Sequence, residues 1–280
     1  MSAAGDPLEP MRAAGRRAPE PVVAPVEILR ITQATRATFA DLFIRMGFLC
    51  FIHRGEKRVV CPRKGEMIGR EGDLMIFPPG SIVTLENRPL LNGQYEADGV
   101  YFSSELIEAV FADQPAGGGP EVQILTAVAH RPEAVLALIR QTLEDAALPP
   151  PIRAHRLVEP LIWLRHHGIR LRPLPADEPL ARLRGLIETD LSHPWRAAEV
   201  ARHFAMSEAS LRRWLGRSGH GFQQILQTTR LEKGLTLLQT TRLPISEIAL
   251  DCGFKTPSHF SDSFRQRFGI KPKAIRTAAD

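Results

Sequence analysis

Short apolar runs separated by turn residues fill the first part of the chain, from about residue 26 to residue 102. Four of these runs suit β-strands, at 48–52, 58–60, 73–77 and 82–85. Gly, Pro and Asn residues between the runs mark turns. Short strands at this spacing predict a small β-sandwich or barrel.

After Ser103 the apolar residues recur every three or four positions, which is helical spacing. The pattern predicts helices at 104–111, 132–147 and 152–167. The proline-rich stretch 173–179 has the composition of an interdomain linker. Every later segment is typical of a helix, and the predicted helices are 180–191, 197–203, 207–216, 221–240, 245–252 and 257–268.

The chain is therefore predicted to have an α+β fold in two domains. Residues 26–172 would form a β-barrel followed by helices, and residues 180–280 an all-α domain. Residues 1–25 are rich in Ala, Gly, Pro and Arg without a periodic apolar face, so we expect a disordered leader there.

The all-α part contains a helix-turn-helix pattern at 197–215, called here the first unit. Its small Ala201 lets a second helix cross close by, and Ser207 is a good N-cap for that second helix. The buried stripe of the second helix would be Leu211, Trp214 and Leu215. Its outer face, where a recognition helix meets the major groove, would carry Glu208, Ala209, Arg212 and Arg213.

The same pattern returns at 245–268, called here the second unit. Gly253 makes the turn, Thr256 caps the recognition helix and Pro257 suits its first position. The aromatic residues expected to be buried are Phe260, Phe264 and Phe268. The residues expected to face DNA are Lys255, Ser258, His259, Ser261, Asp262 and Arg265. Lys255 and Arg265 suit contacts to the DNA backbone better than sequence reading.

The predicted helix 221–240 joins the two units. A helix of that length spans about 30 Å, and successive major-groove faces of B-DNA lie about 34 Å apart. This spacing leads to the hypothesis that one chain places two recognition helices in adjacent grooves.

Charge supports a nucleic-acid partner. The whole chain has a net charge of +5, but residues 180–280 alone hold 16 Lys or Arg and 9 Asp or Glu, a net charge of +7. A basic region beside a nearly neutral remainder is typical of proteins that bind nucleic acid.

Other classes of protein are disfavoured. The chain has no GxSxG, P-loop, dinucleotide fingerprint or HExxH motif, so neither an enzyme nor a cofactor is expected. His155, His166 and His167 lack a ligand pattern, and no metal site is expected. Three widely separated cysteines indicate a reducing cytoplasm. No apolar run is long enough for a membrane span and no secretory signal is visible, so we expect a cytoplasmic protein without membrane contact.

One family shares the spacing of the second unit. The sequence carries Ile248-Ala249, Gly253-Phe254, His259-Phe260-Ser261, Phe264, Phe268-Gly269, Pro272 and Arg276. This series resembles the C-terminal signature of the AraC/XylS family of transcription regulators. The segments Met206-Ser207-Glu208-Ala209-Ser210-Leu211-Arg212-Arg213, Arg230-Leu231 and Leu237-Leu238 are similar to the same family. The likeness covers roughly residues 180–277, and it implies a regulator of transcription that binds double-stranded DNA, mostly as an activator that contacts RNA polymerase.

The segment 72–81 resembles a strand and turn of the cupin-like barrel that precedes the DNA-binding domain in many members of this family. That likeness implies a domain that senses a small-molecule effector or forms a homodimer. Arg63, Lys64 and Arg70 would suit an acidic effector, although each is more typical of a solvated turn. The alternative is an effector-independent regulator whose first domain only dimerises or binds another protein.

Three residues depart from the family pattern. Ala205 stands where the family often has Gly, at a cost of about 1–2 kcal/mol if the backbone there is left-handed. Gly234 replaces the usual Ala inside the linker helix, which lowers helix propensity by about 1 kcal/mol and suggests some flexibility. Asp262 places an acid towards the groove, where it would accept from cytosine N4 or repel phosphate.

Overall fold

The computed structural model describes residues 26–62, 64–91, 93–114, 121–175, 177–216 and 219–277. The predicted leader, residues 1–25, lies outside the described residues. Within the described part, the chain forms a β-rich region followed by an all-α region, as the sequence predicts.

Nine antiparallel strands of the described chain form two sheets. The strands are β1 Val26–Gln33, β2 Ala37–Ile44, β3 Gly47–Arg54, β4 Glu56–Cys61, β5 Gly65–Gly69, β6 Leu74–Phe77, β7 Ser81–Arg88, β8 Tyr95–Phe102 and β9 Gln123–Leu125. One sheet has the order β1-β8-β3-β6-β9 and the other has the order β2-β7-β4-β5. The predicted cupin-like architecture is confirmed. The described strands form two separate hydrogen-bonded sheets and not one closed barrel.

Alternation along the strands places one set of side chains between the sheets. Strand β4 buries Lys57, Val59 and Cys61 and leaves the intervening side chains half-buried. Strand β3 is buried on both faces for most of its length, because one face meets the opposite sheet and the other meets helices. These strands, together with the helices that cover them, are called the sheet domain, residues 26–171.

Helices cover the outer face of the five-stranded sheet. They are α1 Ser104–Phe111, α2 Ala127–His130, α3 Glu133–Glu144 and α4 Pro150–His166. Ile107, Ile139 and Leu161 are each fully buried and pack with Leu49 and Val100 of the sheet in one apolar cluster. The helices predicted at 104–111, 132–147 and 152–167 correspond to α1, α3 and α4.

Seven helices form the rest of the described chain. They are α5 Pro179–Thr189, α6 Ala197–His203, α7 Glu208–Gly216, α8 Phe222–Thr240, α9 Ile245–Asp251, α10 Pro257–Phe268 and α11 Pro272–Arg276. Helices α6 and α7 are the first unit, α9 and α10 are the second, and α8 connects them. Within the described residues, no helix combines the length and the apolar character needed to cross a membrane.

Candidate nucleic-acid interface

The turn of the first unit is closed by backbone hydrogen bonds at the end of α6. Met206 N donates to the Ala201 carbonyl at 2.9 Å, and Ala205 N donates to the Arg202 carbonyl at 3.0 Å. Ala205 itself adopts the left-handed conformation, with φ of 52°. Such an arrangement satisfies the last carbonyls of a helix and redirects the chain. The sequence expectation of a strained alanine at this turn is therefore met.

Helix α7 begins with a side-chain cap. Ser207 Oγ accepts from Ser210 N at 3.2 Å, as the sequence predicts. Leu211 and Leu215 are each 1% exposed and anchor the helix. Trp214 is half-buried against the ring of Phe204, with 5.2 Å between ring centroids.

The four residues predicted for the DNA-facing side of α7 are all exposed, namely Glu208, Ala209, Arg212 and Arg213. Arg213 Nη2 also donates to Ser210 Oγ at 3.2 Å, one turn back along the helix. The face therefore offers two guanidinium groups beside a small alanine, a shape and charge suited to a DNA groove.

The turn of the second unit repeats that of the first. Phe254 N donates to the Ala249 carbonyl at 2.9 Å, and Gly253 is left-handed with φ of 76°. A Cβ atom at Gly253 would lie 2.2 Å from the carbonyl oxygen of Leu191, so only glycine fits here.

Helix α10 is capped by Thr256, whose side chain accepts from His259 N at 3.2 Å. Phe260, Phe264 and Phe268 are buried as predicted, and successive rings touch with centroid separations of 5.6 and 4.7 Å. Five of the predicted DNA-facing residues are exposed, namely Lys255, Ser258, His259, Asp262 and Arg265. Ser261 is half-buried, so its side chain is less available than an outward position would make it.

Helix α8 holds the two units at a fixed separation. Its 19 residues span about 28 Å at 1.5 Å per residue. Arg230 Nε donates to the Leu191 carbonyl at 2.9 Å and Arg230 Nη2 to the His193 carbonyl at 2.8 Å. Because Leu191 also abuts Gly253, the loop before the first unit, the linker helix and the second turn meet at one point. Burial lowers the pKa of Arg230.

The sequence analysis suggests flexibility at Gly234, and the structure shows a packing role for this glycine within the helix Phe222–Thr240. A Cβ atom at Gly234 would lie 2.7 Å from Cε2 of Phe260. The missing side chain therefore allows α10 to pack closely on α8. Glycine at this position permits close contact between the two helices.

Two further side chains brace the helical region. Arg276 donates to the carbonyls of Leu238, Thr241 and Leu243, which satisfies the end of α8. Arg184 of α5 pairs with Glu232 of α8, and burial raises the pKa of that carboxyl. Arg276 and Arg184 therefore support the fold instead of facing DNA.

The cysteines and histidines considered in the sequence analysis are buried thiols and separate imidazoles. All three cysteines are free and buried, and burial raises the pKa of the Cys252 thiol to about 12. His166 and His167 lie with their ring centroids 5.2 Å apart near the end of α4. Within the described residues, no group of three or more His, Cys, Asp or Glu side chains is placed to hold a metal ion.

Comparison with known proteins places the helical region in a family. Residues 200–278 match the family described as "Helix-turn-helix domain". The HTH-type transcriptional activator CsvR of Escherichia coli is 37% identical over 92 residues, which are 33% of this chain and 34% of that protein. The transcriptional activator AggR of Escherichia coli is 38% identical over 96 residues, which are 34% of this chain and 36% of that protein. The chain thus spans about a third of the length of these curated relatives.

Solved structures match over most of the chain. ToxT from Vibrio cholerae O395 aligns with a TM-score of 0.62 at 14% identity, covering 90% of this chain and 98% of that one. ToxT from strain SCE256 with an unsaturated fatty acid bound aligns with a TM-score of 0.61, also at 14% identity, covering 88% and 92%. At this identity the likeness concerns the fold, a sheet domain joined to a helical domain. The helical region, residues 200–278, is therefore a helix-turn-helix domain similar to those of the transcriptional activators CsvR and AggR.

Proposed function

We propose that this chain is a sequence-specific regulator of transcription that binds double-stranded DNA in the cytoplasm. The observation that carries the proposal is a pair of capped recognition helices, α7 and α10, which each have an exposed polar face and are joined by one linker helix, α8. Relatives named as activators support activation as the direction of control. An activator of this kind would act by contacting RNA polymerase.

The first unit is the main reader of sequence in this proposal. Arg212 and Arg213 carry donors suited to guanine O6 and N7 or to phosphate. Glu208 and Ala209 lie at the start of the same exposed face, where the N-terminal residues of a recognition helix reach base edges.

The second unit has a more mixed face. Lys255 and Arg265 are exposed cations suited to phosphate, and Ser258 and His259 lie at the capped start of α10. Asp262 would accept from cytosine N4 at one position and repel phosphate elsewhere. Ser261, being half-buried, would contribute least to contact with DNA.

The proposal is tested by titrating the full chain onto duplexes selected from a random pool, followed by fluorescence anisotropy with competitor DNA at two salt concentrations. We expect saturable binding that survives competitor and strengthens as salt falls. The double variant Arg212→Ala, Arg213→Ala should lose about 100-fold in preference for the selected site. The matched control removes two exposed arginines outside the units, Arg170→Ala and Arg172→Ala. Equal losses in both variants would contradict base reading by α7.

We further propose that an acid with an apolar body controls the chain from the interior of the sheet domain. Lys57 is only 3% exposed there. Its Nζ donates to Asn87 Oδ1 at 2.5 Å and lies 5.0 Å from the ring centroid of Tyr95. Within the described residues, no carboxylate oxygen lies within 4.0 Å of Lys57 Nζ.

Burial lowers the pKa of Lys57, because a cation in an apolar interior lacks solvation. The carboxylate of an effector would supply the missing counter-charge. ToxT has been solved with an unsaturated fatty acid and with (E)-4-(8-methylnaphthalen-1-yl)but-3-enoic acid, and both ligands combine a carboxylate with an apolar body.

The cations singled out from sequence are placed differently. Lys64 and Arg70 are exposed and pair with Glu121 and Glu56 at 3.6 and 3.3 Å, and Arg63 lies outside the described residues. Sequence reasoning missed Lys57 because a lysine inside an alternating strand is usually solvated.

The effector proposal is tested by thermal unfolding of the full chain with sodium palmitoleate below its micelle concentration. Binding to the folded chain should stabilise it by about 2.7 kcal/mol at 100 times the dissociation constant. Lys57→Met should abolish the response, and Lys64→Met, the matched control at an exposed lysine, should retain it. An unresponsive wild-type chain that binds DNA normally would favour the alternative, a sheet domain that only dimerises or binds a protein.

A further inference from the structure

The boundary between the buried apolar clusters does not coincide with the boundary between the two domains predicted from the sequence. The sheet interior and the second unit belong to one continuous cluster, in which Phe39 and Val59 are joined to Leu235, Phe264 and Phe268. The first unit lies in a second cluster, which contains Val200, Leu211, Leu215 and Ile225, and Phe43 of β2 packs against its edge. The linker helix crosses from one cluster to the other between Leu226 and Leu231.

Strand β1 and the turn after it hold the end of α8 and helix α11. Thr32 Oγ1 donates to the Gln239 carbonyl at 3.2 Å, and Ala34 N donates to the Ile275 carbonyl at 2.8 Å. Thr35 Oγ1 donates to the Ala274 carbonyl at 2.6 Å. Backbone and side-chain groups of β1 and of the turn after it therefore bond directly to α8 and α11, which support the second unit.

A buried polar path continues from this contact into the sheet interior. Gln33 Oε1 accepts from Gln239 Nε2 and from Asn87 Nδ2, each at 2.8 Å. Asn87 in turn accepts from Lys57. Gln33 and Asn87 are at most 1% exposed, so Lys57 is linked to Gln239 of α8 by hydrogen bonds through two buried side chains.

Strand β2 contacts the recognition helix of the second unit at a bulge. These contacts, together with the Thr35 bond to α11, are called the grip. The register of β2 shifts between Phe39 and Leu42, and Asp41 is left-handed with φ of 51°. The carbonyls of Ala40 and Asp41 both accept from Arg267 Nη2 of α10, at 2.7 and 3.3 Å. The ring of Phe39 meets the edge of Phe268 at 5.5 Å.

This grip leaves the DNA-facing side of α10 open. Arg267 and Phe268 lie at the C-terminal end of α10, whereas Ser258, His259 and Arg265 remain exposed. Contact with the first unit's region is slighter: Arg45 pairs with Glu188 of α5 at 2.5 Å at a part-exposed position, and Arg184 of α5 lies over the Phe43 ring.

We infer that the sheet domain regulates DNA binding through the second unit alone, by holding α10 in a position ready for DNA, while the first unit binds its half-site independently. The inference rests on the proposed DNA-binding function. Because the grip leaves the reading face exposed, it pre-organises α10 instead of masking it, and releasing it lowers affinity. Arg267 is a positioning residue in this scheme.

The test changes the grip from the sheet side, so that the DNA-binding surface and its charge stay as they are. The full chain carrying Thr35→Val and Phe39→Leu is compared with wild type on two duplexes. One duplex has both half-sites of a selected binding site, mapped by hydroxyl-radical footprinting, and the other has its second half-site scrambled. The matched control is Thr38→Val with Phe77→Leu, since Phe77 is an equally buried ring of the same interior that pairs with Phe48. Thermal unfolding of each variant shows that it is folded.

We expect the second half-site to strengthen wild-type binding about tenfold, and the grip variant to lose most of that gain. Its affinity for the duplex with only the first half-site should stay within about twofold of wild type. The control variant should keep the full gain. A grip variant that retains the gain, or that loses affinity equally on both duplexes, overturns the inference. A wild-type chain without sequence preference on either duplex would instead overturn the proposed function.

Discussion

The turns of the two helix-turn-helix units are closed by the same hydrogen bond, from Met206 N to the Ala201 carbonyl and from Phe254 N to the Ala249 carbonyl, each at 2.9 Å. Their left-handed residues differ, however. Ala205 in the first unit is exposed, whereas Gly253 in the second lies against the Leu191 carbonyl. The comparison shows that the backbone sets the turn, and that neighbouring atoms decide whether a side chain is tolerated there.

The surroundings of the units differ in the same way. The first unit packs on α5 and the start of α8 within its own cluster. The second unit packs on α8 and α11 and contacts strand β2 of the sheet domain, while β1 and the turn after it contact α8 and α11. A substitution in the second unit is therefore expected to disturb contacts with more elements than the equivalent substitution in the first.

The sharpest test of this contrast is Gly253→Ala. A Cβ atom there would lie 2.2 Å from Leu191 O and 2.8 Å from Cζ of Arg230, on a residue with φ of 76°. The left-handed conformation costs an alanine about 1–2 kcal/mol, and the crowding costs about the same again. We expect the free energy of unfolding to fall by about 3 kcal/mol in urea denaturation.

The control for that measurement is Gly219→Ala, which is also left-handed, with φ of 74°, but in the described part of the chain no atom beyond its sequence neighbours lies within 4 Å of the added Cβ. It should cost only the conformational part, about 1–2 kcal/mol. Equal losses at the two glycines would contradict the role of the Leu191 contact.

Gly234→Ala tests how closely the second recognition helix must pack. The added Cβ would meet Phe260 at 2.7 Å, and that ring is fully buried between Phe254 and Phe264. Overpacking costs about 1–3 kcal/mol and the better helix propensity returns about 1 kcal/mol, so the net loss of stability should be about 1 kcal/mol. Because α10 must move to make room, binding to the second half-site should weaken more than binding to the first.

Anisotropy with the two duplexes, one complete and one with a scrambled second half-site, separates these effects. Gly185→Ala in α5 serves as the control, since its Cβ would meet no described atom outside its own helix within 4 Å, and it should only stabilise its helix. A Gly234→Ala chain that is more stable than wild type and binds both duplexes normally would show that the ring moves without cost.

Much of the helical architecture follows from local sequence signals. The predicted helices 104–111, 197–203 and 257–268 coincide with α1, α6 and α10, and the caps at Ser207 and Thr256 form as expected. These signals work because a cap and a buried stripe involve residues within one or two turns of each other.

The sheet domain was harder to predict, since its strands contain buried polar residues that interrupt the apolar pattern. Strands β1 and β8, which the sequence analysis did not identify, bury Gln33 and Asp98. Asp98 is satisfied by His53 at 2.7 Å and by Arg140, residues distant in sequence. Such partners exist only once the chain is folded, and the same holds for the Arg267 contact with the β2 bulge.

The smallest expected effect belongs to Ala205→Gly in the first unit. Ala205 has φ of 52° and is exposed, so glycine removes the left-handed strain and little contact is lost. The relief of about 1–2 kcal/mol is partly offset by the greater freedom of glycine in the unfolded chain, leaving a gain of about 1 kcal/mol. The rise should be visible in urea denaturation, with affinity for the first half-site unchanged. A loss of stability would mean that the Ala205 methyl group makes a contact worth more than the strain, and the two turns would then be alike in depending on their neighbours.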